Sequence, residues 1–411
     1  MKKILLLNHY AGSPEMGMEF RPYYLAREWV KLGYSVRIVA GDYSHLRIKN
    51  HRARKDFEEE TIDGIQYVWL RTGDYQGNGV RRALTMFRFV GKLWLKAGWI
   101  AKEWKPDVVI ASSTYPLDTY AAQKIAKKAG ARLIHEVHDM WPATLYEIGG
   151  MSRHHPFVML MQMAENSFCR HADYVVSLAS NAEAYLIRHG LKKGRFVYIP
   201  NGIDEKEWDH PQQLSENLKE ELEQFKQKGK FIVGYFGGHA LSNALDILLD
   251  TAKELKFPEI QIILVGNGVE KSRLLQRKQT EQISNVSFYP AIKKAAIPSL
   301  LKYFDCIYMG ALPSPLYRFG ICMNKMFDAM MAGKPILCAI KAENTPIEKY
   351  QAGFMADSDD PIRIARKMEE IFQMSNEQRA RMGENGRNAV KSYFTYPKLA
   401  FRFALLFEEN Q

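Results

Sequence analysis

The 411-residue sequence predicts an α/β fold of two domains, each built on a parallel sheet covered by helices. Three observations carry this reading. Short apolar strands alternate with amphipathic helices from end to end, the pattern of parallel sheets with helical crossovers. The chain exceeds one ordinary core, so two domains of roughly 150 to 200 residues are expected. Finally, the segment IPNGIDEKEWDHPQQLSENLKEELEQFKQKGK breaks the rhythm, passing from turn residues to dense charge, and reads as the junction. The expected division is residues 1–204, residues 205–390, and a C-terminal helix over 391–411 that returns to the first domain.

In chain order the first half offers the strands KILLLN, YSVRIVAG, IQYVWLR, PDVVIASS, RLIHEVHD, DYVVSLA and FVYIP. The second half offers KFIVGYFG, IQIILVGNG, VSFYP, CIYMGA and KPILCAI. Helical patterns such as PYYLAREWVKLG, DTYAAQKIAKKAG, NALDILLDTAKEL and AAIPSLLKYF lie between them. Several end at a glycine, which takes the left-handed position after a helix without a Cβ penalty. Rossmann-like halves of this kind bind ligands beyond the carboxyl ends of their strands, so two joined halves are expected to face across a cleft. Function should therefore reside in the loops that follow strands.

Composition narrows the class. Hydrophobic residues at 46% and charged residues at 25% describe an ordinary globular chain, and no stretch approaches the roughly 20 apolar residues of a membrane span. The start, MKKILLLNHYAG, has an apolar run of only Ile4 to Leu7 before polar residues, so it reads as a first strand, not a secretion signal, and the expected location is cytoplasmic. Cys169, Cys306, Cys322 and Cys338 are scattered in apolar contexts, without the paired spacing of a zinc site or disulfide framework. The net charge of +11 points to an anionic partner.

Five loops can carry chemistry. After the first strand, HYAGSPEMGMEFRPYYLA sets Gly12, Ser13 and Gly17 before a helix opening around Glu19 to Pro22. Backbone amides and a helix N-terminus there can approach a phosphate, although the glycines could simply turn the chain. The loop is neither GxGxxG nor a P-loop. RLIHEVHDMWP places Glu136, His138 and Asp139 at a strand end, where His138 can hydrogen-bond a substrate hydroxyl and His135 falls to packing. GYFGGHALSNALD sets Gly237, Gly238 and His239 just after a strand, with Ser242 or Asn243 available as a helix cap. VSFYPAIKKAAIPSLL offers backbone around Ile292 to a nucleobase. In YRFGICMNKMFDAMMAGKPIL, Asn324 and Lys325 open a Met-rich helix, where the helix dipole and Lys325 favour a diphosphate. Arg318 is a second expected cation, and Asp328, one turn on, can accept from sugar hydroxyls or be a surface charge.

Two further features concern metals and membranes. Asp357-Ser358-Asp359 could suggest a metal motif, but Asp360-Pro361 follows and opens a helix, which explains the acidic cluster as a cap. No metal is expected. In VRRALTMFRFVGKLWLKAGWIAKEWKP, Arg81, Arg88, Lys92 and Lys96 form one helical stripe, with Phe87, Val90, Leu93, Trp94, Ala97 and Ala101 largely opposite. That suits an anionic bilayer surface, and equally a helix packed on the core with a solvated basic face. No nucleic-acid fold accompanies the charge, so no nucleic-acid partner is expected.

Together these pieces resemble a retaining glycosyltransferase of family four with the two-domain GT-B fold. The similar parts are the AGSPEMGMEFRPYYLAREWVKLGYSVRIVAG loop, the HEVHD strand edge, the IPNGID junction, LVGNGVEKSRL, the FG...DAMMAGKPIL block and the tail EQRARMGENGRNAVKSYF. The resemblance spans nearly the whole chain. It implies a nucleotide-sugar donor, UDP-linked by family preference, held mainly by the C-terminal domain, and no separate cofactor. The acceptor would sit mainly on the N-terminal domain, with Glu19, Arg21 and Asp139 on its side. With the basic amphipathic helix, the acceptor expected is a polyprenyl-diphosphate-linked saccharide of cell-surface polysaccharide assembly, reached at the cytoplasmic face of an anionic inner membrane. His138, Lys325 and Asp328 take the catalytic roles.

The sequence departs from the family at two points. The family motif has two glutamates separated by seven residues; Asp328 takes the second place, and the first falls on Gly320 or, with FGI matched, on Tyr317. The arginine and lysine that grip the donor diphosphate after the first C-terminal strand are missing from GGHALSNALD, so Arg318 and Lys325 are the expected replacements. These departures leave open a non-catalytic binding or scaffold protein on the same fold, and a nucleotide-sugar epimerase.

Overall fold

The computed structural model describes residues 1–17, 20–77, 79–357 and 359–408. The chain divides into two compact units, Met1–Pro200 with Tyr396–Gln411, and Asn201–Thr395. Unit 1 contains β1 (Lys3–Leu7), β2 (Ser35–Gly41), β3 (Glu58–Ile62), β4 (Ile65–Leu70), β5 (Val108–Ala111), β6 (Arg132–Val137), β7 (Tyr174–Ser177) and β8 (Phe196–Tyr198). They form one sheet in the order β3-β4-β2-β1-β5-β6-β7-β8, parallel except for β3. Unit 2 contains β9 (Phe231–Phe236), β10 (Ile260–Val265), β11 (Val286–Tyr289), β12 (Cys306–Gly310), β13 (Ile336–Ala339) and β14 (Gly353–Ala356). Its sheet is parallel, in the order β11-β10-β9-β12-β13-β14.

The central strands are apolar on both faces because helices cover both sides, so β1, β9 and β10 read as continuous hydrophobic runs. Two strands escape the sequence reading. β3 (EEETI) is a charged, half-exposed edge strand paired antiparallel to β4, and β14 (GFMA) is a half-buried edge strand beside β13. Edges need neither continuous apolarity nor a clean alternation, so the hydrophobic pattern does not mark them.

Each sheet changes winding direction once, at β1/β5 in unit 1 and at β9/β12 in unit 2. Such points leave a crevice beyond the strand ends. The loops after β1, β5 and β6 therefore gather on one edge of unit 1, and those after β9 and β12 on one edge of unit 2.

The domain limits differ from expectation by a few residues, for local reasons. Asn201 belongs to unit 2 because its backbone N–H donates to Cys322 Sγ and its side chain to Cys322 O, both at 3.1 Å. Ile203 bridges to Thr395 in the same unit. The helix Asn376–Tyr393 stays in unit 2, and the chain returns to unit 1 only with the helix Tyr396–Ala404. There Trp29 Nε1 donates to Ala400 O at 3.0 Å and the Trp29 ring stands edge-on to Phe403 at 5.1 Å.

The helix Asn324–Met331 ends as its sequence indicates, with Gly333 at φ 69°. A Cβ on Gly383 would meet Gly333 O at 2.0 Å, so the Asn376–Tyr393 helix lies directly on this turn. Arg387 closes the contact by donating to Met331 O at 3.1 Å and Ala332 O at 2.7 Å. The apolar residues Met326, Phe327, Ala329 and Met330 face the core of unit 2, leaving Asn324, Lys325 and Asp328 outside it.

Candidate functional site

On the unit 1 edge, the loops after β1, β5 and β6 form a polar network around Glu136. The carboxylate is fully buried and divides its two oxygens between different partners. Oε1 accepts from Arg21 Nε at 3.0 Å and Nη2 at 2.8 Å. Oε2 accepts the Ser112 hydroxyl at 2.6 Å and lies 3.1 Å from His138 Nε2. Ser112 Oγ is also 3.0 Å from His138 Nε2. Since the serine spends its proton on Glu136, its oxygen accepts, and His138 carries a proton on Nε2. Asn8 donates to Ser112 O at 2.6 Å and fixes the serine's backbone. Burial works against the charge of Glu136, but Arg21 and then His138 outweigh it and hold the carboxyl well below the usual carboxylate range.

Beside this network Asp118 is buried. One of its oxygens accepts the Ser113 N–H at 2.9 Å, and burial raises its pKa to about 7. His135 stacks on Phe168 with ring centroids 3.8 Å apart, and burial lowers its pKa to about 3, so it packs as a neutral ring. Asp139 is exposed at the strand edge.

On the unit 2 edge, Lys325 reaches back under the turn after β9. Its ammonium donates to Asn243 Oδ1 at 2.7 Å, approaches Tyr235 OH at 3.5 Å and stands 4.8 Å over the Tyr235 ring. Burial lowers its pKa to about 8, with Cys338 opposing. Gly237 has φ 133°, and a Cβ on Gly266 would lie 1.8 Å from Gly237 O, so the two turns touch backbone to backbone. A Cβ on Gly238, in contrast, would meet no protein atom nearer than Asn243 Nδ2 at 3.9 Å. Asp328 lies near Trp208, Glu207 and Lys294; burial raises its pKa to about 6, Lys294 opposing and Glu207 adding to the rise. Ile292 packs on the edge of the unit 2 core.

Several expected residues take other places. Gly12 and Gly17 are hemmed by the chain itself: a Cβ would stand 3.2 Å from Arg47 Nε at Gly12 and 3.0 Å from Ile48 Cγ1 at Gly17, whose φ is 90°. Ser13 beside them is buried, so these three positions serve the packing of the loop after β2. Arg21, expected on the acceptor side, is 4% exposed with its guanidinium turned inward. Glu19 lies outside the described residues. His239 has a fully buried ring whose pKa falls to about 4 through burial and Lys271, so only its backbone borders the turn.

Arg318 and Lys325 are not brought together. Arg318 stacks on Phe319 at 4.3 Å and lines a separate cavity of about 460 Å³ with Lys341, Asp357 and Arg363, while Lys325 lies against Tyr235. Asn324 is exposed at the start of its helix. Asp360 caps the following helix by accepting from Arg363 N at 2.9 Å. Among the described residues no group of three His, Cys, Asp or Glu side chains is placed to hold a metal ion.

The basic stripe on the helix Val80–Trp104 is partly spent within the protein. Arg88 donates to Thr72 O at 3.1 Å and Lys92 to Asp56 at 2.6 Å, while Lys124 of the helix Asp118–Ala129 stands 3.2 Å over the Trp94 ring. Leu93 and Ala97 are core, and the outward face carries Leu84, Phe87, Trp94 and Leu95 beside exposed Arg81 and Lys96. The sequence reading missed Ser112, Asn8, Tyr235 and Lys271. Lys271 joins β10 to β11 by donating to Gly266 O at 2.8 Å and Tyr289 O at 2.7 Å. Only a polar residue at a strand end marked them, a signal many neighbours share.

Each unit thus offers its own chemistry: unit 1 an oriented imidazole at a strand edge, and unit 2 an ammonium beside an open glycine turn. Residues 16–202 match the family described as a glycosyl transferase 4-like domain, and residues 217–389 that described as glycosyl transferases group 1. The chain belongs to the family-four glycosyltransferases and is a glycosyltransferase of GT-B fold. It is 24% identical over 288 residues to WcaI of Escherichia coli K12, named as a colanic acid biosynthesis glycosyl transferase, covering 68% of this chain and 69% of WcaI. It is 22% identical over 309 residues to the Pseudomonas aeruginosa glycosyltransferase WbjE, covering 72% of each. Sucrose-phosphate synthase of Thermosynechococcus elongatus shares the fold with a TM-score of 0.73 at 16% identity, over 99% of this chain and 98% of that one. HepE of Anabaena in complex with UDP does so with a TM-score of 0.67 at 16% identity, over 98% and 99%.

Removing Arg21 would strand a buried carboxylate. Arg21→Ala is expected to destabilise unit 1 by about 3–5 kcal/mol, the usual cost of breaking a buried pair. Urea denaturation followed by tryptophan fluorescence would measure it, and a loss under about 1 kcal/mol would show that water reaches Glu136.

Proposed function

We propose that this glycosyltransferase moves a sugar, with retention, from a UDP-linked donor to a polyprenyl-diphosphate-linked saccharide in cell-surface polysaccharide assembly. The carrying observation is Lys325, a half-buried ammonium that donates to the neutral Asn243 and lies against the Tyr235 phenol, next to the space over Gly238. A diphosphate in that space would meet the ammonium, the amides of the Gly237-Gly238 turn and the first turn of the helix Asn324–Met331. Asp328 would accept from ribose hydroxyls, and the backbone around Ile292 would border the base. The resemblance to WcaI, named for colanic acid biosynthesis, supports the polysaccharide setting, and the HepE complexes with UDP and UDP-glucose support the donor class.

In the reaction, the bond from the anomeric carbon to the leaving phosphate oxygen breaks and a bond to the acceptor oxygen forms on the same face. The acceptor proton passes to the departing phosphate. Lys325 and the turn amides would stabilise the charge that grows on that phosphate, a contribution that preorganised donors make without reorganisation. His138, held in one orientation by Glu136 and Ser112, would bind a hydroxyl of the transferred sugar. Asp139 is the exposed strand-edge group on the acceptor side.

Membrane association fits the outward face of the helix Val80–Trp104, though through apolar side chains more than through the basic stripe. Leu95 is 75% exposed, and the neighbouring helix Pro156–His171 adds Met163 at 61%. Phe87 joins the two helices by an edge contact with Phe157 at 6.5 Å. Arg81 and Lys96 flank this surface as sites for anionic headgroups. No described helix is long and apolar enough to cross a membrane.

Incubating the protein with UDP-, GDP- and dTDP-sugars, with and without polyprenyl-diphosphate saccharide, tests the activity: acceptor-dependent nucleotide release is expected, and donor interconversion alone would sink the proposal. Lys325→Ala should lower turnover at least ~tenfold with a nearly unchanged thermal midpoint; parallel loss of both would assign it to packing. Asp328→Asn should weaken UDP binding ~10–100-fold, the worth of a hydrogen bond to a charged group, without lowering the midpoint, because it removes a half-buried carboxylate whose charge burial disfavours.

The pH dependence follows from Lys325. Its pKa is depressed from 10.5 to about 8, so apo stability gains as pH rises through that window while the free ammonium is lost. A bound diphosphate favours the ammonium, so UDP affinity should fall between pH ~7 and pH ~9. Calorimetry would show this in the wild type and not in Lys325→Arg. For the membrane, Leu84→Asp with Leu95→Asp should abolish co-sedimentation with anionic phosphatidylglycerol vesicles; undiminished sedimentation would place the contact elsewhere.

A further inference from the structure

The guanidinium of Arg21 does more than neutralise Glu136. Its Nη2 also donates to Ile199 O at 2.8 Å, and its Nη1 donates to Pro200 O. Pro200 is the last residue of unit 1 before the chain enters unit 2. One buried side chain thus grips both the end of unit 1 and the oxygen of Glu136 opposite to the one that holds Ser112 and His138.

We propose that Arg21 is a positioning residue for the transfer reaction: through Glu136 and Ser112 it ties the orientation of the His138 ring to the position of residues 199–200. This rests on the reading above that His138 meets the transferred sugar. Arginine suits the task because its planar fork holds several acceptors in fixed relative directions, which a flexible ammonium cannot do. When residues 199–200 keep their place, Arg21 keeps Glu136, and the carboxylate keeps the Nε2 proton of His138 directed inward. A shift of the connecting segment pulls the guanidinium from Oε1 and loosens the ring at the far end of the network. Asn8 and Ser113 hold the serine loop from the other side, through Ser112 O and Asp118, while Glu136 links the network to the connector through Arg21.

The test compares the double variant Arg21→Met/Glu136→Gln, which removes both buried charges together, in the wild-type and His138→Ala backgrounds. Nitrogen-15 NMR of labelled histidine would find the His138 Nε2–H in the wild type as a slowly exchanging signal, assigned by its loss in His138→Ala. The expectation is that the double variant loses this protection, and that kcat falls at least tenfold in the wild-type background and less than twofold when His138 is already absent. Donor KM and the UDP-induced thermal shift should stay within twofold of wild type, since unit 2 holds the nucleotide in the proposed function. Equal fold losses in both backgrounds, or a protected Nε2–H in the double variant, would overturn the proposal while leaving the role of His138 intact. A wild-type kcat in His138→Ala would instead overturn the site reading beneath it. If the double variant shows no cooperative unfolding, Arg21→Lys replaces it: the charge remains without the fork, and the same loss of Nε2–H protection is expected, whereas full protection would refute the tie.

Discussion

The buried ion pair of Arg21 with Glu136 is the constraint on which unit 1 depends. Taking two charges out of water costs several kcal/mol each unless every polar atom finds a partner. Here the carboxylate receives the guanidinium on one oxygen and Ser112 with His138 on the other, and the guanidinium also takes two carbonyls. That requirement fixes four chain segments to one another: the helix after β1, the ends of β5 and β6, and the close of unit 1 after β8. The imidazole that would meet substrate is the outermost member of this network. Its rigidity comes from the electrostatics beneath it.

Unit 2 meets a similar need by other means. Its edge is made of backbone packed on backbone, with Gly266 against Gly237 and Gly268 against His239, so side chains are excluded where the turns touch. Beside this frame the Lys325 ammonium projects, with an amide and a phenol as neighbours. Unit 1 offers a charge network satisfied internally, suited to orienting a neutral sugar. Unit 2 offers a cation whose neighbours are neutral, suited to an anion.

The long helix Val80–Trp104 shows how misleading a one-dimensional charge pattern can be. Its lysines and arginines align as a stripe, yet Arg88 and Lys92 turn back onto Thr72 and Asp56, and the surface left facing outward is largely apolar. Long basic side chains reach across several ångströms, so a helical wheel places their roots and not their charges. The same flexibility lets Arg318 and Lys325, close in sequence, take different surroundings: Arg318 lines a cavity with Lys341 and Arg363, and Lys325 lies against Tyr235 and Asn243.

Sequence alone determined the two-domain α/β plan, the central strands, the helix that ends at Gly333, the strand end where His138 sits and the helix start that carries Lys325. Periodicity and glycine conformation are local properties, and the pattern states them directly. The edge strands β3 and β14, the inward turn of Arg21 and the burial of the His239 ring were decided only by the tertiary structure. Each depends on partners remote in sequence: Arg21 on Glu136, 115 positions away, and on Pro200, 179 positions away. A residue's chemistry is written in the chain, but whether it faces solvent, substrate or an opposite charge is set by what the fold brings beside it.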